Sequence, residues 1–359
     1  MSLQLLLGPS GSGKTTSLYE TLIREAEHSS AFQAMAIVPE QYTMQTQKDL
    51  VTMHPGHSVT NIDILSFDRL AYRILGELGV EGMTVLDDMG KLMVLRRAAA
   101  ACSDDLKVFR KNLDKAGFID KIKSMLSELY QYRIDGQEMD RIIAATADEP
   151  LLQRKLKEIR TLYHAFDRSM EEDTIPSERL YDVLCRLIPQ SKLVAESVIT
   201  FDGFTGFTPS QYQVLEMLMI HAKKVIVTVT VDGALVDGGA FDELSPRQRA
   251  RLSSERQLFE MSLTTVQMLK ALAKKNQVTV EDGKVFAPGA RFAKVPQLAV
   301  LERQLLRCPV EPWVILDDQE GQTEDTVAAP TEGPIHLWEV RDRTAEMEAV
   351  ARQIFTLVR

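Results

Sequence analysis

Residues 8–15 read Gly-Pro-Ser-Gly-Ser-Gly-Lys-Thr and match the pattern G-x-x-x-x-G-K-[ST] at every specified position. The apolar run Leu3–Leu7 precedes this stretch, and a helix-like run, Thr15–Glu27, follows it. Glycines let backbone N–H groups approach phosphate oxygens closely, and a helix N-terminus adds the positive end of its dipole. A chance Gly/Ser-rich turn would lack this strand–loop–helix context. The stretch therefore predicts a phosphate-binding loop of the Walker A type.

The polar residues of such a loop have separate tasks. The Lys14 ammonium is suited to the β- and γ-phosphates of ATP, and the Thr15 hydroxyl is a magnesium ligand. We therefore expect Mg and ATP as cofactors. The predicted nucleotide-binding residues are Gly8, Gly11, Ser12, Gly13, Lys14, Thr15 and Thr16.

A second strand should supply a carboxylate for magnesium. The β-rich run 197–201 (SVITF) places Asp202 at a strand's carboxyl end, where ligands of open parallel sheets bind. Asp202 is thus the predicted second magnesium residue beside Thr15, and an ordinary turn residue is the alternative. Gly203 follows where a hydrolytic ATPase usually has glutamate, and glycine has no side chain to orient water. The sequence therefore predicts weak hydrolysis.

Strand and helix signals alternate in the flanking sequence. Apolar or β-branched runs at 34–38, 59–65 and 225–231, with helix-like stretches between or after them, predict a parallel sheet covered by helices. One of these helices is expected to begin at Ser66, an N-cap residue type. By contrast, the apolar spacing over 87–190 is helical almost throughout.

The expected fold class is α/β, a P-loop NTPase with a parallel sheet and large helical insertions. We expect a final strand, 335–340, and a helix from Thr344 that keeps its apolar spacing to Arg359. That helix has no stop signal, so the chain is expected to be part of a longer protein. The expected segments are 1–86 and 191–232 (the two parts of the phosphate-loop domain), 87–190 (helical insertion), 233–333 (second helical region and linker) and 334–359 (start of another domain).

Composition excludes several classes of protein. The 359 residues carry a net charge of -9, and 45% of them are hydrophobic, which rules out a disordered chain, a collagen and a disulfide scaffold. Cys102, Cys185 and Cys308 lack the spacing of a zinc site, and we expect idle thiols in a reducing compartment. No run approaches the roughly 18 apolar residues that span a bilayer. We therefore expect a cytoplasmic protein without a membrane partner.

One stretch resembles a helicase motif. Residues 201–211 (FDGFTGFTPSQ) are similar to a worn form of the superfamily 1 second motif, D-E-x-Q-D-x-x-P-x-Q. The residues that match are Asp202, Pro209 and Gln211, and the replaced ones are Gly203, Thr205 and Gly206. With residues 38–43 (VPEQYT), 65–71 (LSFDRLA) and 346–351 (EMEAVA), the chain resembles the B subunit of AddAB-type ATP-dependent helicase/deoxyribonucleases.

This resemblance implies a role in DNA double-strand break repair, single- and double-stranded DNA as ligands, and a heterodimer with an A subunit. It also implies a motor of degenerate activity and an iron–sulfur cluster in a nuclease part that this chain does not contain. The loops after the second and third strands are the expected DNA contacts. Core packing of Tyr42 and Phe67 and helix capping by Ser66 are the alternatives. The candidate DNA-binding residues are Gln41, Tyr42, Thr43, Ser66, Phe67 and Arg69.

Two other functions stay open. The chain could be an active DNA-dependent ATPase in which an unidentified residue positions the attacking water. It could also be a small-molecule P-loop kinase, since the loop would suit one. The long helical span between Gly8 and Asp202, and the absence of an obvious Arg-rich lid, disfavour the kinase.

Overall fold

The computed structural model describes residues 1–27, 34–59, 61–80, 82–170, 173–232, 235, 257–287, 291–292, 295–305, 335 and 337–358. The chain divides into two compact units. Unit 1 comprises Met1–Gly239 with Phe259–Pro288, and unit 2 comprises Ala240–Leu258 with Gly289–Arg359. No described helix is long and apolar enough to cross a membrane.

Unit 1 contains two sheets. The strands are β1 (Ser2–Gly8), β2 (Ala34–Ile37), β3 (Ile62–Leu65), β4 (Thr84–Leu86), β5 (Thr174–Pro176), β6 (Val198–Phe201), β7 (Lys224–Thr230), β8 (Thr279–Val280) and β9 (Lys284–Val285). The main sheet has the order β3-β2-β6-β7-β1, and both β8 and β9 pair with the free side of β1. All of these pairs are parallel, and β4 and β5 form a separate parallel pair.

Helices follow most strands of the main sheet and form nearly all of the intervening region. Those of unit 1 are α1 (Lys14–Glu27), α2 (Thr43–Met53), α3 (Phe67–Glu77), α4 (Asp88–Ala101), α5 (Ala116–Gln131), α6 (Gly136–Ala145), α7 (Pro150–Ser169), α8 (Leu180–Leu187), α9 (Lys192–Ala195), α10 (Pro209–His221) and α11 (Glu260–Lys275). Unit 2 contains α12 (Pro296–Gln304) and α13 (Arg343–Val358).

The α/β class, the parallel sheet and the large helical region are confirmed. The starts of two helices show why local sequence predicts them well. The Ser66 side chain accepts a hydrogen bond from the backbone N–H of Arg69, as an N-cap residue should. Thr208 and Gln211 form a reciprocal capping box before α10, with Pro209 at its first turn.

Several short strands differ from the expected pattern. β3 begins at Ile62 rather than at residue 59, because its pairing with β2 is only four residues long. The helical range 87–190 contains β5, and the range 233–333 contains β8 and β9. Strands of two or three residues are too short for a period of two to register. The final strand expected at 335–340 is wrong for residues 337–340, which have no regular structure and pair with no described strand.

One face of the main sheet is covered by α1 and α2. Its core includes Leu6 of β1, Val198 of β6 and Ile226 of β7, packed with Leu18 and Leu22 of α1. Burial of such side chains is the main stabilising contribution to this layer. Because α1 begins directly after residues 8–13, this packing fixes the loop at the carboxyl edge of the sheet.

Candidate functional site

The loop between β1 and α1 is wound tightly by two glycines. Gly11 has φ +72° and Gly13 has φ +94°, values that side chains disfavour. The backbone N–H of Ser12 donates to the Pro9 carbonyl at 3.3 Å, and the N–H of Ser17 donates to Gly13 at 3.0 Å. This conformation leaves successive backbone N–H groups at the start of α1, as an anion-binding loop requires.

Two polar side chains are buried in the same loop. The Lys14 ammonium is 7% exposed and donates to the carbonyl oxygens of Gly8 at 2.7 Å and Pro9 at 2.8 Å. The Ser12 hydroxyl oxygen is also buried and has no hydrogen-bond partner among the described residues. Buried polar groups are nearly always hydrogen-bonded, so we expect a bound group to pair with this hydroxyl. A buried cation, an unpaired hydroxyl and left-handed glycines fit a phosphate group.

Gly8 is enclosed by two neighbours. A Cβ atom at Gly8 would lie 2.7 Å from the Ser12 hydroxyl oxygen and 2.9 Å from Cβ of Phe286, closer than real contacts allow. Ser12 could rotate away, but Phe286 is held by its backbone N–H, which donates to Leu7 at 2.7 Å. Glycine is therefore required at the first position of the loop for steric reasons.

Asp202 comes directly after β6 and faces α1. Side chains alternate between the faces of a strand, so Asp202 shares a face with Val198, which packs in the core under α1. The carboxylate is 9% exposed and accepts a short hydrogen bond from the hydroxyl of Thr228 on β7. Thr228 thus holds the carboxylate in one orientation at the carboxyl edge of the sheet.

Tyr19 of α1 interacts electrostatically with Asp202. Its hydroxyl donates to Thr46 of α2 at 3.2 Å. The pKa of Tyr19 is raised to about 12, mainly by burial and in smaller part by the negative charge of Asp202, against the lowering effect of the Thr46 hydrogen bond. Thr15 lies four residues before Tyr19 and therefore on the same face of α1. Thr15 and Asp202 thus lie on the same flank of α1.

Gly203 has a left-handed backbone, with φ +79°. A Cβ atom there would lie 3.5 Å from Pro39 and 3.5 Å from the Tyr42 ring, which is ordinary contact. Space is available, but the backbone conformation disfavours every residue with a side chain. The backbone directly after Asp202 is therefore suited to glycine.

Comparison with known proteins places the chain in a family. A family model described as "ADDB, N-terminal" matches residues 5–302. The chain belongs to this family. It is also similar to proteins named as the B subunit of an ATP-dependent helicase/deoxyribonuclease. The one from Lachnoclostridium phytofermentans is 39% identical over 314 residues, which cover 86% of this chain and 26% of that protein. The one from Geobacillus kaustophilus is 32% identical over 368 residues, which cover 100% of this chain and 29% of that protein. The chain thus spans just over a quarter of the length of these relatives.

The candidate DNA-binding residues of this AddB N-terminal chain divide by exposure. Gln41, Tyr42 and Arg69 are exposed, and Tyr42 is 48% exposed. Arg69 pairs with Glu40 at 2.9 Å, which joins the loops after β2 and β3. These three side chains are available to a ligand at the carboxyl edge of the sheet.

The other three candidates are buried and have structural partners. Thr43 donates to the carbonyl of Glu40 at 2.9 Å, and Ser66 caps α3. Phe67 is 3% exposed and packs in a cluster of aromatic rings, so stacking on a base would require its ring to leave the core. Core packing, the alternative interpretation of Phe67, describes it in this structure. The rings around it are Tyr181, Phe201, Phe204 and Phe207.

Sequence reasoning missed two residues that contact the site, Thr228 and Phe286. Each reaches the site by strand pairing across a long sequence separation, and no local motif marks it. The two described cysteines take no part: burial raises the pKa of Cys102, and raises that of Cys185 to about 11. Cys308 lies outside the described residues. Among the described residues no cluster of three or more His, Cys, Asp or Glu could hold a metal.

Proposed function

We propose that the chain is the N-terminal, helicase-like part of the B subunit of an ATP-dependent helicase/deoxyribonuclease, and that it binds Mg·ATP in a P-loop NTPase fold. The observation that carries this proposal is the loop of residues 8–15, with Thr15 and Asp202 on one flank of α1. A phosphate chain at the start of α1 would meet the loop N–H groups and the Lys14 ammonium.

Each residue of the site has a defined task in this proposal. Gly8, Gly11 and Gly13 shape the backbone, Ser12 donates its unpaired hydroxyl hydrogen, and the Lys14 cation neutralises phosphate charge. The Thr15 and Thr16 side chains lie at the first turn of α1, where phosphate oxygens bind.

In this proposal magnesium would be held by two oxygen donors of the chain, the Thr15 hydroxyl and the Asp202 carboxylate. Thr228 keeps that carboxylate oriented. When bound, Mg²⁺ neutralises charge on the phosphate oxygens.

Hydrolysis by this chain is proposed to be weak. Efficient attack needs a residue that orients or deprotonates water. Gly203 cannot do this, and its left-handed backbone disfavours replacement by glutamate. The chain would then act as a nucleotide-responsive DNA-binding part rather than as a full motor.

Single-stranded DNA is the proposed ligand of the loops after β2 and β3. Tyr42 offers an exposed ring for base stacking, Gln41 offers an amide, and Arg69 offers a cation for phosphate. For the whole protein we propose DNA double-strand break repair, with single- and double-stranded DNA as substrates and an A subunit as partner.

Calorimetric titration with Mg·ATP tests the nucleotide site. We expect Lys14→Ala to abolish measurable binding, since it removes the cation of the loop. The matched control is Lys48→Ala, an exposed lysine of α2, which should bind as the unchanged chain does. Thr15→Ala should weaken binding only in the presence of Mg²⁺. Equal affinity of Lys14→Ala and the unchanged chain, with both folded, would refute the proposal.

Fluorescence anisotropy with labelled single-stranded DNA tests the DNA surface. Arg69→Ala should weaken binding and lower the slope of log affinity against log salt by about one phosphate contact. Its ion pair with Glu40 is exposed on both sides, so stability should change little. The control is Arg141→Ala, an exposed arginine of α6. If Arg69→Ala leaves the salt slope unchanged, Arg69 does not contact a DNA phosphate.

The competing functions predict other results. Phosphate transfer to a small metabolite would support a P-loop kinase. DNA-stimulated turnover faster than about one per second would support an active motor.

A further inference from the structure

β9 runs beside the phosphate loop on the side of β1 that faces away from β7. Lys284 is in register with Leu6, and Val285 is in register with Leu7. The next residue, Phe286, donates its backbone N–H to Leu7 and packs against Gly8. The backbone of residues 284–286 is therefore fixed relative to the loop.

The Lys284 ammonium lies at the first turns of α1. Its ammonium donates to the hydroxyl of Ser17 at 3.1 Å and lies 4.8 Å from the centre of the Phe286 ring. Exposed lysines usually stay mobile, because ordering them costs side-chain entropy. The two contacts offset that cost and hold the Lys284 ammonium in one position.

The two flanks of α1 have different chemistry. Thr15 and Asp202 lie on one flank, and they are the residues proposed to hold magnesium. Successive helical residues are about 100° apart, so Ser17 projects about 200° from Thr15, with exposed Thr16 between them. A nucleotide with its β- and γ-phosphates at Thr15 and Asp202 would direct its α-phosphate past Thr16, towards Ser17.

We propose that Lys284 is a second cation of the nucleotide site, which binds the α-phosphate of a nucleoside triphosphate, and that Phe286 positions it. This inference rests on the proposed nucleotide site. The carboxylate of Glu281, three residues before Lys284 in the chain, pairs instead with Lys224 at 2.6 Å and accepts from Ser2 at 2.5 Å. A Lys–phosphate contact is charge-assisted, and such contacts are among the stronger hydrogen bonds.

The test compares the affinities of the 359-residue chain for Mg·ATP and Mg·pyrophosphate by calorimetry. Pyrophosphate can fill the loop at Lys14 but has no α-phosphate. Lys284→Ala should weaken Mg·ATP binding about tenfold and leave Mg·pyrophosphate binding unchanged. The matched control is Lys270→Ala, an exposed lysine of α11, which should change neither affinity.

Phe286→Leu tests the positioning role, because leucine keeps an apolar side chain and the backbone hydrogen bond but removes the ring. It should lower the ratio of ATP affinity to pyrophosphate affinity in the same direction, by less than Lys284→Ala. In the Lys284→Ala background it should have no further effect on that ratio.

Two outcomes would overturn the proposal while leaving the nucleotide site intact. In one, Lys284→Ala binds Mg·ATP as the unchanged chain does. In the other, it weakens Mg·pyrophosphate as much as Mg·ATP, which would make Lys284 a support of the loop. Failure of the nucleotide site itself is distinguishable, because then Lys14→Ala would bind both ligands normally or the unchanged chain would bind neither.

Discussion

Gly203 is the residue on which the proposed weak hydrolysis depends. Its φ of +79° is left-handed, and its neighbours would tolerate a Cβ atom. The position therefore has no side chain that could orient water, and its backbone conformation disfavours residues that have one. The glycine can be read from the sequence, whereas its left-handed backbone could be seen only in the structure.

Gly203→Glu should therefore fail to create an efficient ATPase. We expect a loss of about 1–2 kcal/mol in the free energy of unfolding, from left-handed strain, and no gain in DNA-stimulated turnover. Urea unfolding and a phosphate-release assay measure the two effects. Gly203→Asn is the control, because asparagine tolerates this backbone better and should lose less stability. A large gain in turnover by Gly203→Glu would contradict this interpretation of the site.

At the scale of elements, the length of a helix or strand decided whether the sequence could predict it. α3 and α10 begin at the cap residues Ser66 and Thr208, and α1 begins directly after the glycine-rich loop, so their positions follow from local sequence. β8 and β9 have two residues each and exist because β1 offers them a free side. The contacts of Asp202 with Thr228 and of Gly8 with Phe286 depend on sheet order. Sheet order is set by the whole fold, so no local pattern encodes these contacts.

The helical region is joined by a buried ion pair. The Lys91 ammonium of α4 lies 2.8 Å from Glu178, and both side chains are 7% exposed. Burial alone would raise the pKa of Glu178, but the hydrogen bond and the positive charge of Lys91 hold it below its usual value. Lys91 also contacts Ser127 of α5 at 3.5 Å and Ser177 at 3.2 Å. The pair therefore fixes α4 and α5 to the segment that follows β5.

Lys91→Met should be strongly destabilising, because it leaves the Glu178 carboxylate buried without a counter-charge. We expect a loss of about 3–5 kcal/mol in the free energy of unfolding at pH 7, measured with urea. Adding Glu178→Leu should restore most of it. Arg141→Ala, which breaks an exposed pair with Glu138, should cost less than about 1 kcal/mol. Equal losses in Lys91→Met and Arg141→Ala would contradict the role of the pair.

The same pair predicts the direction of a pH effect. The pKa of Glu178 is lower in the folded chain, so its stabilising contribution is present above the unfolded value and is lost as pH falls through the folded one. The unchanged chain should therefore lose more stability between pH 6 and about pH 3 than the Lys91→Met/Glu178→Leu variant does. A larger acid loss in the double variant would count against this.

At the scale of the whole molecule, unit 1 brings together every residue proposed for nucleotide and DNA. Its carboxyl edge carries the loop of residues 8–15, Asp202, Gly203 and the exposed side chains after β2 and β3. The chain covers 26% to 29% of its relatives' length, so nucleotide binding by this part and the activity of the whole protein are separate questions. The central claim concerns this part alone, which is proposed to bind ATP and to hydrolyse it poorly.

The most direct test is to mix excess chain with trace radiolabelled Mg·ATP and single-stranded DNA, and to follow bound nucleotide and released phosphate together over time. We predict that ATP is retained intact, that retention disappears in Lys14→Ala, and that phosphate release stays below about one per second. Phosphate release above that rate, dependent on DNA and on Lys14, would contradict the account, as would the absence of any Lys14-dependent retention.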